Sequence, residues 1–125
     1  EMSEYLVLMM AKREGEYIAG ALNFKGANAL YGRYWGCVEE ANNLHFELCY
    51  YQGIEYCIAK GLARFDPGVQ GEHKIQRGFR PTYTYSNHWL AEPGFDDAIR
   101  DFVEEEAEHV QQYAEHACGM LPFKE

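Results

Sequence analysis

The sequence has no long apolar run. No stretch reaches the roughly 18 residues that a membrane span requires, so no membrane-spanning segment is expected. A basic n-region is also missing from residues 1–10, so no signal peptide is expected. Cysteine is sparse: the 4 residues, Cys37, Cys49, Cys57 and Cys118, contain no CxxC pair. Cys49 and Cys57 are expected on one helix, about 12 Å apart at 1.5 Å rise per residue, too far for a disulfide. Reduced thiols in a cytoplasmic protein are the expectation. Basic residues are few, 11 against 20 acidic, for a formal charge of −9. That charge is concentrated. Residues 94–118 hold eight acidic residues against one basic, a formal −7, so an anionic ligand elsewhere is not excluded. There is no internal repeat or low-complexity segment. The first residue is Glu, and a piece of a longer product is expected.

What is present is the composition of a folded domain, 47% hydrophobic and 25% charged over 125 residues. That length suits one domain with one core. YLVLMMA (5–11) and YIAGALNF (17–24) flank a charged, glycine-containing turn and predict a β-hairpin. ALYGRYWG (29–36) alternates as a strand, with Leu30, Gly32, Tyr34 and Gly36 on one face and Tyr31, Arg33 and Trp35 on the other. Asn42-Asn43 offers a helix cap. Residues 44–60 predict a helix with Leu48, Tyr51, Ile54, Ile58 and Leu62 near one stripe, stopped at Gly61. Residues 62–66 predict a short strand, and TYTYSNHWLA (82–91) another. Pro93-Gly94 starts a long helix with an apolar stripe of Phe95, Ile99, Phe102, Val103, Val110, Tyr113 and Ala117. The order β-β-β-α-β-β-α predicts an α+β or α/β mixed sheet with helices packed on it.

The stretch from Asp66 to Arg80 bears the densest chemistry. It follows a strand, and open α/β sheets bind ligands at the carboxyl ends of strands. Gly68, Gly71 and Gly78 allow close backbone approach. His73, Lys74, Arg77 and Arg80 suit a phosphate or carboxylate, with Gln70 beside them. Glu72 or His73 could take a proton from an amine. A solvated loop whose charges pair with the acidic helix accounts for the same residues. Gly32 and Gly36 leave a gap in the third strand, beside Arg33, Tyr31, Tyr34 and Trp35. Aromatic cross-strand packing also explains that set. His45, Glu47 and Cys49 are polar candidates at the start of the helix, though a cysteine there is more simply core. His88 lies on the Thr82–Thr84–Ser86 face of its expected strand. Glu106-x-x-His109 is an i, i+3 pair of the kind metal sites use, but one such pair reads as a solvated face, and no metal is expected.

The run NNLHFELCYYQGIEYCIAKGLARFDPGVQGEHKIQRGF is similar to the core of FemAB-like transferases. There a helix leads into a "kG-x-x-x-f-d-x-G" strand. A glycine-containing loop with a lysine follows, and then Gly-Phe. Lys60, Gly61, Phe65, Asp66, Gly68, Lys74, Gly78 and Phe79 stand at those positions. The upstream GALNFKGANALYGRYWG resembles the bacterial "predicted N-acyltransferase" family of peptidoglycan biosynthesis/recognition. The resemblance implies a GNAT-like fold whose sheet splays open to admit an acyl donor. It implies transfer of an acyl or aminoacyl group to an amine, with Lys74 at the active site. It implies a single domain over 1–125, the C-terminal lobe of a longer two-lobe protein.

The GNAT pyrophosphate signature, Arg/Gln-x-x-Gly-x-Gly/Ala, is absent between Trp35 and Phe46. The donor is therefore open between acyl-CoA and aminoacyl-tRNA, with tRNA as carrier in the second case and no permanently bound cofactor in either. The acceptor is expected to be a small-molecule or glycopeptide amine of cell-envelope metabolism. Lys74 and Arg77 would hold an anionic group, and Glu72 or His73 would assist proton transfer. Tyr31, Arg33, Trp35, His45, His88 and Gln70 complete the expected binding set. The early GNAT elements have no counterpart here, and a homodimer could complete the cleft. A non-catalytic module binding an envelope glycopeptide or a protein partner is the competing expectation.

Overall fold

The computed structural model describes residues 2–69 and 71–123. The chain divides into two compact units, Glu1–Gln70 and Gly71–Glu125.

The first unit is a four-stranded sheet with a helix on one face. Its strands are β1 (Leu6–Arg13), β2 (Glu16–Lys25), β3 (Ala29–Cys37) and β4 (Arg64–Asp66), in that spatial order. β1, β2 and β3 run antiparallel, and β4 lies parallel to β3. The expected hairpin forms with Arg13 opposite Glu16. Glu14 (φ 52) and Gly15 (φ 92) are both left-handed, as a tight hairpin turn matched to strand twist requires.

β3 departs from simple alternation. Leu22 pairs with Tyr34 and Asn23 with Gly32, so Arg33 is an extra residue, a β-bulge. Residues directly paired across an antiparallel ladder share a face. Leu30, Gly32 and Trp35 therefore fall together with Asn23 and Ala21, and Tyr31, Tyr34 and Gly36 fall opposite. This corrects the expected grouping, because one inserted residue reverses a period of two.

The helix on the sheet is continuous from α1 (Leu44–Phe46) through a π-helical turn (Glu47–Tyr51) into α2 (Gln52–Lys60). Asn43 precedes it in the left-handed conformation (φ 63) with no side-chain cap bond, so it serves as a turn and not as the expected cap. The π turn encloses one more residue than an α turn. The buried positions are accordingly Leu48, Tyr50, Gly53 and Cys57, while Tyr51 and Ile58 of the expected stripe are exposed. Leu48 packs on Ala19 and Ala21, with Met9, Ala11, Trp35, Leu44 and Cys49 around them. Fully burying one such leucine contributes about 1.5–3 kcal/mol. Gly61 (φ 65) ends α2, and Leu62 N–H donates to Cys57 O at 2.9 Å, a Schellman closure. All four cysteines are free.

The second unit holds a 3-10 helix, Glu72–Arg77, and α3 (Pro93–Gly119). α3 begins as expected at Pro93. Glu92 caps it, accepting from Gly94 N–H (3.1 Å) and Phe95 N–H (2.6 Å). Of its apolar stripe only Ala117 is buried; Phe95, Phe102, Val103, Val110 and Tyr113 are exposed. The strand expected over 82–91 is not formed, and the element order is corrected to β-β-β-α-β-α. A strand needs a neighbour to satisfy its N–H and C=O groups, and among its described residues this unit contains none. No helix among the described residues is long and apolar enough to cross a membrane.

Candidate functional site

In the first unit, β4 pairs with β3 over three positions only: Ala29↔Arg64, Leu30↔Phe65 and Tyr31↔Asp66. The chain then leaves the sheet at Pro67. Asp66 Oδ1 accepts the N–H of Gly68 at 2.9 Å, which turns the backbone immediately after the strand. The bulge at Arg33 turns β3 at the same level. Between the two, Gly32 lies bare of side chain. A Cβ there would stand 3.4 Å from Pro67 Cα and 3.5 Å from Asn23 Oδ1. Asn23 is 1% exposed and donates from Nδ2 to Val7 O at 3.3 Å. Gly32 thus lets the backbone at Pro67 approach β3 closely, beside a buried amide.

The candidate residues of this unit separate by face. Tyr31 takes a hydrogen bond from Arg64 Nη2 at 3.3 Å, with the guanidinium 5.9 Å from its ring. Arg33, in the bulge, is exposed. Trp35 turns to the helix side and meets His45 edge to face at 5.3 Å. His45 also meets Phe46 at 5.4 Å and Tyr50 at 5.6 Å, so three aromatic rings surround its imidazole. The structure brings Trp35 and His45 together and puts Tyr31 on the other face. Cys49 packs beside the core.

In the second unit, the 3-10 helix Glu72–Arg77 is bracketed by two glycines with left-handed φ, Gly71 (99°) and Gly78 (86°). A Cβ at Gly71 would overlap the ring of His73, and one at Gly78 the ring of Phe123. Lys74 N–H donates to Gly71 O at 3.2 Å, and Phe79 N–H to Lys74 O at 3.1 Å. Lys74 is only 9% exposed, unusual for an ammonium. Arg77 Nη1 donates to His73 O at 2.9 Å. Burial, then the positive charges of Arg77 and Lys74, hold the His73 imidazole below its ordinary pKa. The shift favours the neutral form of the imidazole. Glu72 is exposed. Gln70 lies outside the described residues. His88 is exposed on irregular chain, with Nε2 2.8 Å from Ser86 Oγ. Glu106 and His109 line an open concavity on α3 with Phe102, Val110 and Tyr113. Among the described residues no three His, Cys, Asp or Glu side chains converge as a metal site.

Sequence reasoning passed over Asn23. The signal was there: it is the one strongly polar side chain between Ile18 and Phe24.

The family of peptidoglycan biosynthesis/recognition proteins called FemAB-like matches the chain over residues 1–125, its whole length. The chain belongs to the FemAB-like family. No curated protein and no solved structure matches it. The FemAB-like motif positions now have physical roles. Gly61 closes α2, and Phe65 and Asp66 end β4. Gly68 (φ 85) takes the turn that Asp66 caps. Gly78 closes the 3-10 helix around the buried Lys74.

Proposed function

We propose that this FemAB-like chain is one lobe of an N-acyltransferase that moves an acyl or aminoacyl group onto an amine of a cell-envelope glycopeptide. The observation that carries this reading is the short pairing of β4 with β3. Parallel pairing stops at Tyr31↔Asp66, and the β4-side edge of β3 beyond it has no strand partner among the described residues. Such an edge presents backbone N–H and C=O groups to an extended amide chain. The pantetheine arm of an acyl-CoA and the peptide of a glycopeptide acceptor both have that form. A GNAT-like sheet would hold the donor along that edge.

In the transfer, the amine nitrogen bonds to the donor carbonyl carbon. The resulting oxyanion collapses, and the bond to the thiol sulfur or the tRNA ribose oxygen breaks. The amine must lose a proton on the way. A neutral His73 suits that role, with Glu72 the alternative. Lys74 and Arg77 suit an anionic group of donor or acceptor.

The test is transfer from acyl-CoA or aminoacyl-tRNA to a muropeptide amine. Lys74→Met, which keeps the volume, is expected to slow transfer by about 10²-fold or more. Arg77→Leu is expected to weaken binding of the anionic group of donor or acceptor. Full turnover in both variants would sink the assignment. The family description names recognition as well as biosynthesis, and this favours a second reading, a binding module for envelope glycopeptides. Muropeptide binding with no transfer from either donor would select it.

A further inference from the structure

β1 is an edge strand built like an interior one. Its outer edge has no strand partner among the described residues. Edge strands are usually guarded by proline, charge, a bulge or short length. β1 has 8 residues, no proline, and six apolar residues before its first charge. The register irregularity at Ala11/Lys12 leaves the extra residue, Ile18, on β2, so β1 stays regular. On the face away from the helix it presents Leu6, Leu8 and Met10, with Leu8 58% exposed. A solvated face of an antiparallel sheet is normally polar.

We infer that two copies of this chain join β1 to β1, antiparallel, in one continuous sheet. Two features select a second copy. The first is register. A two-fold axis through Leu8, perpendicular to the sheet, sets Leu8 against Leu8 and Leu6 against Met10 on the outer face. It sets Val7 against Met9 on the helix side, so every pair is apolar. The second is charge. Glu4 stands in the turn before the strand and Lys12 at its far end. Antiparallel pairing brings each Glu4 towards the partner's Lys12, twice by symmetry. Parallel pairing would bring like charges together. Arg13 is held by Glu39, while Lys12 lies exposed over the Tyr17 ring at 4.2 Å.

The test is sedimentation equilibrium of the chain over a range of concentrations, with thermal melts of each variant. A concentration-dependent dimer is expected. Leu8→Lys places like charges on the axis and should weaken it at least tenfold, about 1.4 kcal/mol. Glu4→Lys alone and Lys12→Glu alone should each weaken self-association. Mixing those two variants should restore it as a heterodimer, because opposite charges meet at both ends. Both positions are exposed, so this exchange reads out pairing even if Leu8→Lys fails to fold. A wild-type chain that stays monomeric, or a mixture that gains nothing over its separate components, would overturn the inference.

Discussion

A Cβ at Gly53 would stand 2.5 Å from Cζ of Phe65. The ring that ends β4 rests directly on the backbone of α2, and only glycine leaves room for it. In most helices Gly→Ala gains about 0.5–1 kcal/mol. Here Gly53→Ala is expected to destabilise by about 1–3 kcal/mol, because the sheet and helix must part. A denaturant melt followed by circular dichroism measures it; a more stable variant would refute the contact.

Gly78 is constrained twice, by φ of 86° and by the Phe123 ring. Gly78→Ala should loosen the 3-10 turn, at about 1–3 kcal/mol. The amide of Phe79, bonded to Lys74 O, should then exchange with solvent about tenfold faster or more. Unchanged protection there would contradict the geometry.

His73 should titrate below its ordinary value of about 6.5, through burial first and then Arg77 and Lys74. The native state then binds fewer protons than the unfolded chain between the two pKa values. The associated stability is present above the unfolded value and is lost as pH falls through the folded one. Imidazole resonances followed by NMR report the pKa directly. Arg77→Leu should raise it towards the ordinary value, and titration at or above that value in the unaltered chain would count against the site.

Glu92 caps α3 with both carboxylate oxygens. Glu92→Ala should remove about 0.5–2 kcal/mol of helix stability and lower helical ellipticity at elevated temperature. Glu92→Asp, which shortens the reach, should fall between.

Much of the first unit was legible residue by residue. Glu14-Gly15 between two apolar runs specified the hairpin, and Gly61 the end of the helix. Pro93 marked the start of α3. These are local signals, set by φ preferences and missing donors within a few residues. The faces were not legible. The bulge at Arg33 reversed the alternation of β3 and moved Trp35 away from Tyr31 towards His45. The π turn rotated the buried stripe from Tyr51 and Ile58 to Tyr50, Gly53 and Cys57. Each is one inserted residue, and its placement depends on what the neighbouring element packs against.

Sequence by itself determined the family resemblance, the local stops and starts, and the glycines around Lys74. Those depend on covalent geometry and short-range bonding, which adjacent residues carry with them. Tertiary structure alone decided that β4 pairs over three positions, that Asn23 is buried beside Gly32, and that 82–91 forms no strand. Each depends on whether a partner distant in sequence arrives to satisfy a hydrogen bond or fill a space. An alternating pattern such as TYTYSNHWLA shows readiness for a sheet, but only a neighbouring strand can make it one.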